Sequence, residues 1–176
     1  MAVFNTYSDS ANTAVRAFLT KVGAYYNGGK KFDTSNGKGK LIWETIKKEF
    51  NSSCCYCGKQ SDQLTMEHLI MINRSEFGLH HPGNVVPCCK QCNKRTKKTD
   101  KTPMHWVDHL KVIAGKDYEH RLQIIGGHIK KYQYPKLTEN EIKTIKVIAE
   151  SLYKNIVSEG DKSFELYIAL RKEFLD

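Results

Sequence analysis

The sequence contains no run of about 18 apolar residues, the length that a membrane-spanning helix needs. Its first residues lack both a basic start and a long apolar segment, which argues against a secretory signal. No membrane span is therefore predicted, and we expect a cytoplasmic protein.

Acidic side chains are few relative to basic ones. The 176 residues include 19 Asp and Glu against 28 Lys and Arg, which gives a formal net charge of +9 at pH 7. A basic protein attracts polyanions, and nucleic acid is the first candidate partner. Many basic proteins bind no nucleic acid, so charge alone leaves both interpretations open.

Six cysteines are present, and four of them form two Cys-x-x-Cys pairs, Cys54/Cys57 and Cys89/Cys92. In a chain expected to be intracellular, this spacing favours metal over disulfides. Four thiolates supply the tetrahedral shell that a structural zinc ion prefers, with no coordination position left open. A redox dithiol or an iron–sulfur cluster is the alternative, although a redox motif needs only one pair.

Two cysteines, Cys55 and Cys88, are left over beside the pairs. We interpret them as small packing residues. Exchange of Cys55 for Cys54, or of Cys88 for Cys89, in the metal shell remains open.

Between the pairs lie Glu67 and His68, and Asn93 directly follows the last cysteine. Histidine is the natural base near neutral pH. Carboxylate and carboxamide oxygens suit Mg²⁺ or Mn²⁺. Closing the pairs around zinc should return Asn93 to the segment that carries Glu67 and His68, which predicts a catalytic site assembled by a metal that takes no part in the chemistry.

A basic run follows Asn93. Its members are Lys94, Arg95, Lys97 and Lys98. Beside a site that acts on phosphodiesters, these side chains are predicted to contact DNA phosphates. A solvated helix face is the alternative.

These motifs together resemble the HNH endonuclease family, whose fold is the ββα-metal motif. The likeness covers about residues 52–98 and consists of Cys54-x-x-Cys57-Gly, Glu67-His68-Leu-Ile, Asn84-Val-Val-Pro and Cys89-x-x-Cys92-Asn93. The resemblance implies that His68 is the general base and that Glu67 and Asn93 hold one divalent ion. It implies that Asn84 holds the loop around the base by hydrogen bonds. The products would carry 5′-phosphate and 3′-hydroxyl.

The sequence also departs from the family pattern. Met71 stands where many members have proline, and the loop carries an extra pair, His80 and His81. Either histidine could approach the metal or a phosphate, but neither falls on a motif position, so a neutral role in the loop is favoured.

The resulting hypothesis is a metal-dependent endonuclease acting on DNA, which we expect to be double-stranded. It would be restriction-type, or a phage, mobile-element or defence nuclease. A palindromic target would require two active sites and hence a homodimer. The alternative is a non-catalytic zinc-dependent module that binds nucleic acid; an RNA nuclease is a third, weaker interpretation.

The predicted fold class is α+β. A ββα-metal core at 51–100 would stand between a helical segment at 1–50 and a helical segment at 101–176. Strands are predicted at 64–72 and 84–87, and a helix should start at Cys89 or Cys92. Further helices are predicted from Thr102 to Gly115 and over 118–132. A helix opened by the capping box Thr138-x-x-Glu141 should end at Gly160, before a last helix at 164–174.

Overall fold

The computed structural model describes residues 6–174. Within them the fold is α+β and mostly helical, with one two-stranded sheet, as predicted. The elements are α1 Tyr7–Tyr26, α2 Gly37–Glu49, β1 Thr65–His68, β2 Val85–Cys88, α3 Trp106–Ala114, α4 Tyr118–Lys131 and α5 Glu139–Phe174. Across this described part, every helix is too short or too polar to cross a bilayer.

The sheet is antiparallel and pairs Thr65 with Cys88 and His68 with Val85. β1 is shorter than the strand predicted at 64–72. Beyond Leu69 the backbone leaves the β2 register because Pro82–Asn84 form a 3-10 turn and the Asn84 side chain takes the next hydrogen bond: the Ile70 N–H donates to Asn84 Oδ1 over 2.8 Å. The residues that follow therefore form a loop.

The predicted helix starting at Cys89 or Cys92 is absent. A single turn forms there, in which the Asn93 N–H donates to the Cys89 carbonyl over 3.0 Å. The backbone then folds into a small loop that is closed by a hydrogen bond from the Met104 N–H to the Thr96 carbonyl. Because these groups are used within the loop, helix begins only with α3 at Trp106, later than the Thr102 predicted.

The sequence predicted that a helix ends at Gly160, and this prediction is wrong. α5 runs through it without a break for 36 residues. A Cβ atom at Gly160 would lie 2.4 Å from Cγ of the Tyr7 ring, so the glycine allows α1 and α5 to approach closely. The predicted capping box is confirmed, since the Thr138 N–H donates to the Glu141 carboxylate and the Glu141 N–H donates to Thr138 Oγ1.

Two hydrophobic clusters form the interior. The larger one joins α2, the cysteine pairs, β2, α3 and α4, and every residue of β2 is buried in it. The smaller one joins α1 and α5 around Leu79 of the loop between the strands. The sheet therefore packs within the larger cluster, and α1 covers the loop that follows β1 at His80.

Candidate functional site

The four cysteines of the two pairs converge. The Sγ atoms of Cys54, Cys57, Cys89 and Cys92 all lie within 4.8 Å of one another, close enough to hold a metal ion. The Cys57 and Cys89 sulfurs are 3.9 Å apart. A tetrahedral zinc ion with Zn–S bonds of about 2.3 Å separates its sulfurs by roughly 3.8 Å. The cluster is thus compatible with a structural zinc site.

Local backbone contacts bring the first pair to the sheet. The Cys55 N–H donates to the Pro87 carbonyl of β2 over 2.8 Å. The turn that ends the pair places Gly58 at φ +72°, a conformation that favours glycine. A Cβ there would also clash with the guanidinium of Arg121. Gly58 therefore allows the tight reversal that follows the first cysteine pair.

The thiols of the cluster favour binding of a cation. Burial and the nearby sulfurs of Cys54 and Cys57 raise the pKa of the Cys92 thiol. Burial also raises the pKa of Cys57. Four thiolates at this spacing repel one another, and a bound cation would remove that repulsion.

The two remaining cysteines are fully buried beside the cluster. Cys88 Sγ lies 3.9 Å from Cys54 Sγ. Cys54, Cys55 and Cys88 make a second close group, but it offers three sulfurs rather than four. Burial raises the pKa of the Cys55 thiol as it does for Cys57 and Cys92, so the thiol pKa values do not distinguish the two groups and the number of sulfurs decides. The geometry therefore favours the predicted set of four.

Glu67 is buried and lies in an ion pair. Its Oε1 atom accepts hydrogen bonds from Nε of Arg95 at 2.8 Å and from the Tyr56 hydroxyl at 3.4 Å. Burial raises the pKa of Glu67, and the Arg95 guanidinium opposes that shift. Removing one partner of such a pair would leave a buried charge uncompensated.

Arg95 is not part of an exposed basic run, which corrects the sequence prediction. Its side chain is 1% exposed. Besides Glu67, the guanidinium donates to the backbone oxygens of His68 and Leu69, which fixes the end of β1. Because these acceptors lie in the interior, the Arg95 side chain points inward. Lys94, Lys97 and Lys98 remain exposed and available to an anionic partner.

Asn93 lies beside β1, as the closing of the cysteine pairs predicted. Its Nδ2 atom donates to Thr65 Oγ1 at 2.9 Å and to the Met66 carbonyl at 3.3 Å. The amide thus joins the second cysteine pair to the strand, and its immediate role in this arrangement is structural.

The residues predicted to hold Mg²⁺ or Mn²⁺ do not fit that ion as they are placed. Glu67 has its Oε1 atom bonded to Arg95, whose positive charge stands where a cation would approach. Among residues 6–174, the groups of three or more Cys, His, Asp and Glu side chains close enough to hold an ion consist of cysteines alone. We therefore derive no chemical step through a divalent ion.

Asn84 makes the contacts expected of the residue that holds the loop. Its Oδ1 atom accepts from the Ile70 N–H at 2.8 Å. Its Nδ2 atom donates to the carbonyls of Ile70 and Leu79, each at 2.9 Å. The side chain is buried, so these three bonds fix both ends of the loop that follows β1.

His68 points away from Glu67, because successive residues of a strand face opposite sides of a sheet. Its Nε2 atom lies 2.9 Å from Nδ1 of His80. Burial lowers the pKa of His68 to about 3, and the charges of His80, Arg95 and Arg16 contribute to the shift. The imidazole is therefore neutral at pH 7, the state in which it can accept a proton.

Three residues of this region were not foreseen. Arg16 of α1 is exposed and close enough to act on the pKa of His68. Phe32, in the loop before α2, accepts a hydrogen bond from His80 through its carbonyl. His109 of α3 donates through Nε2 to the Cys92 carbonyl at 2.9 Å and so fixes the second cysteine pair. All three come from distant segments, and no local sequence pattern marks them.

Comparisons with family models, with curated proteins and with solved structures find no match to this chain, so its likeness to the HNH family rests on the motifs alone.

Proposed function

We propose that the chain is a nuclease that hydrolyses phosphodiester bonds in DNA, with His68 as the general base. The observation that carries this proposal is the state of His68. Its ring is neutral, it lies at the end of β1 beside the loop fixed by Asn84, and one of its nitrogens is held by His80. A histidine with one nitrogen held and the other left to accept a proton has the geometry of a general base. Its lowered pKa makes it a weaker base than a free imidazole, and the negative charge of a bound phosphodiester would raise that pKa.

Positive charge around His68 supports a polyanionic substrate. Arg16 is exposed on α1, and Lys30 and Lys31 are exposed directly before Phe32, whose carbonyl bonds to His80. Lys94, Lys97 and Lys98 add exposed charge after the second cysteine pair. Contacts of this kind bind phosphates without reading sequence, so binding should weaken steeply with salt.

The reaction that follows from these groups is hydrolysis. His68 removes a proton from water, and the hydroxide attacks phosphorus opposite the 3′ oxygen. The P–O3′ bond breaks, the 3′ oxygen takes a proton from solvent, and the products carry 5′-phosphate and 3′-hydroxyl. The Mg²⁺ or Mn²⁺ ion at Glu67 and Asn93 stays a prediction. Assignment as a restriction-type, phage, mobile-element or defence nuclease likewise stays a prediction.

We infer that the metal of the four-cysteine cluster is zinc and that its role is structural. Four sulfurs close the tetrahedral shell, so no position is left for water or substrate. In the proposed nuclease the ion holds the two cysteine pairs together, and with them Asn93 against β1.

A second candidate function is a zinc-dependent module that binds nucleic acid without cutting it. The observation that favours it is the engagement of Glu67 by Arg95 and of Asn93 by β1. In a pure binding module those contacts are the whole role of both side chains, and the exposed lysines would provide the affinity.

The test is incubation of the purified, zinc-loaded chain with supercoiled plasmid, with Mg²⁺, with Mn²⁺ and with neither. The nuclease proposal predicts nicked or linear DNA with 5′-phosphate ends that a ligase can reseal. Intact plasmid in every condition, together with salt-sensitive retention of DNA in a gel-shift assay, would instead support the binding module. Cutting of RNA but not of DNA would contradict the assigned substrate.

A further inference from the structure

His80 stands in a chain of hydrogen bonds that ends on His68. Its Nε2 atom lies 2.7 Å from the Phe32 carbonyl oxygen, and its Nδ1 atom lies 2.9 Å from His68 Nε2. The contact therefore joins a loop before α2 to the proposed general base, although 35 residues of sequence lie between Phe32 and His68.

The positions of the protons follow from the chemistry of the acceptors. A carbonyl oxygen can only accept, so His80 Nε2 must carry a proton. Burial lowers the pKa of His80, so the ring is neutral and its Nδ1 atom has a lone pair. His68 must then donate from Nε2 to that lone pair. The neutral His68 ring is left with an unprotonated Nδ1.

The His80 ring is held in place from several sides. The Phe32 ring stacks on it with 5.1 Å between centroids and 27° between planes. A Cβ at Gly23 of α1 would lie 2.3 Å from the His80 carbonyl oxygen, so α1 packs directly on its backbone. Asn84 bonds to the adjacent carbonyl of Leu79. The His80 ring is therefore fixed independently of His68 and can set the orientation of the His68 ring.

We propose that His80 is a positioning residue that holds His68 in the tautomer with Nδ1 free to take the proton from water. This inference rests on the proposed function of His68. Both ring nitrogens of His80 are engaged, one by the Phe32 carbonyl and one by His68, so His80 acts through the base. A side chain with only a packing role would occupy the same space without fixing the His68 tautomer. Measuring that tautomer therefore tests the proposal directly.

The test combines NMR with kinetics on the full zinc-loaded chain. Long-range ¹H–¹⁵N correlation should show His68 protonated at Nε2 and not at Nδ1 at pH 7.5, and His80→Ala should mix the two tautomers. The same variant should lower kcat for plasmid cutting about 10–100-fold with little change in KM. His80→Gln, which offers both an acceptor and a donor, should restore part of both signals, and the exposed His120→Ala should change neither.

Two results would overturn the proposal: His68 protonated at Nδ1 in the unaltered chain, or an unchanged tautomer and kcat in His80→Ala. The NMR result does not depend on cleavage. If His68 shows the expected tautomer and loses it in His80→Ala while no form of the chain cuts DNA, the positioning contact stands and the proposed nuclease function fails.

An independent observation concerns the end of α5. Every residue of the segment 161–174 is exposed. Gly160, directly before it, lies against Tyr7, the first residue of α1. Fourteen residues of helix extend about 21 Å at 1.5 Å per residue.

The exposed segment carries more apolar surface than a solvated helix needs. Its six large apolar side chains are between 36% and 71% exposed. They are Phe164, Leu166, Tyr167, Ile168, Leu170 and Phe174. At 150–250 Å² for a large side chain, they expose on the order of 600 Å² together. Leu166 lies nearly opposite Phe164 and Ile168 on the helix, so one partner would cover only part of this area, against the about 800 Å² that a stable interface buries from each partner.

The charges of the segment indicate which partner covers it. Its first five residues carry two acidic side chains, Asp161 and Glu165, and one basic side chain, Lys162, whereas its end carries two basic side chains, Arg171 and Lys172, and one acidic side chain, Glu173. A second copy in antiparallel orientation would place Lys172 of each chain near Glu165 of the other. Such pairing is self-complementary, as a two-fold interface requires.

We propose that two copies of this chain associate through antiparallel packing of their 161–174 segments. The resulting dimer would carry two copies of the His68 site. Neither the surface nor its partner depends on the proposed nuclease activity, because the argument uses only exposure, apolar area and charge.

Light scattering coupled to size exclusion tests the dimer on the full chain. The mass should be twice 20.2 kDa. Tyr167→Lys combined with Leu170→Lys should weaken association about tenfold or more, whereas the matched exposed pair Leu41→Lys and Val112→Lys should not. Glu165→Lys and Lys172→Glu should each weaken association alone and recover it when mixed. A monomeric unaltered chain, or a dimer indifferent to Tyr167→Lys with Leu170→Lys, would overturn the proposal.

Discussion

Removal of the metal from the four-cysteine cluster is expected to abolish cooperative folding of the central region. The sheet has only four residues in each strand, and 31 residues separate Cys57 from Cys89. Structural zinc contributes about 10–16 kcal/mol in small zinc modules, whereas a whole domain is stable by about 5–15 kcal/mol. Loss of the ion therefore exceeds what the remaining contacts supply. Thermal unfolding followed by circular dichroism, before and after a zinc chelator, measures the effect.

Single substitutions can identify the ligands. Cys57→Ser and Cys92→Ser are expected to lose the bound zinc, measured by mass spectrometry of the metal content, and to unfold as the chelated chain does. Cys55→Ala and Cys88→Ala should keep one zinc per chain and lose only packing, at a cost of about 1–3 kcal/mol. Zinc retained by Cys57→Ser but lost by Cys55→Ala would contradict the assignment and favour the group of Cys54, Cys55 and Cys88.

The four-cysteine cluster could be predicted from sequence because its information is local. Each Cys-x-x-Cys pair forms one turn, and two such turns define a tetrahedral shell wherever the chain brings them together. The capping box at Thr138 and Glu141 was predictable for the same reason. The end of α3 at Gly115 was also confirmed.

Arg95 could not be placed from sequence because its neighbours suggest the opposite environment. It stands among exposed lysines, and a run of charged residues usually indicates a solvent-exposed surface. What decides its position is a buried carboxylate 28 residues earlier, at Glu67, together with two free carbonyls at the end of β1. Those acceptors exist only once the sheet has formed. The predicted helix after Cys92 is absent for a similar reason, because its backbone groups bond within the loop that Thr96 and Met104 close, which no local pattern shows.

The partners of His68 were likewise beyond the sequence. His80 was singled out only as an extra histidine, and nothing near it shows that a carbonyl at Phe32 will fix its protons. Gly160 illustrates the same limit, since a glycine that ends a helix and a glycine that admits a neighbouring helix look alike until Tyr7 is in place. Local chemistry was predictable, and contacts between distant segments were not.

His68→Ala is expected to lower the rate of DNA cleavage about 10²–10⁴-fold, the contribution that a positioned general base makes. The substitution removes a half-buried side chain that does not touch the cysteine cluster, so zinc content should stay at one per chain. Single-turnover cutting of plasmid by equal amounts of folded protein measures the effect. His120→Ala, an exposed histidine of α4, is the matched control and should cut at the unaltered rate.

The neighbouring variant Glu67→Gln separates catalysis from architecture. If Glu67 acts only through its ion pair with Arg95, the variant should lose stability while each folded molecule that remains cuts at the unaltered rate. If Glu67 leaves Arg95 to hold a divalent ion, the variant should instead require more Mg²⁺ or Mn²⁺ for the same rate. A His68→Ala variant that cuts as fast as the unaltered chain would contradict the general-base role. Adjacent residues on opposite faces of one short strand would then both be structural, and the positive charges around them would serve binding alone.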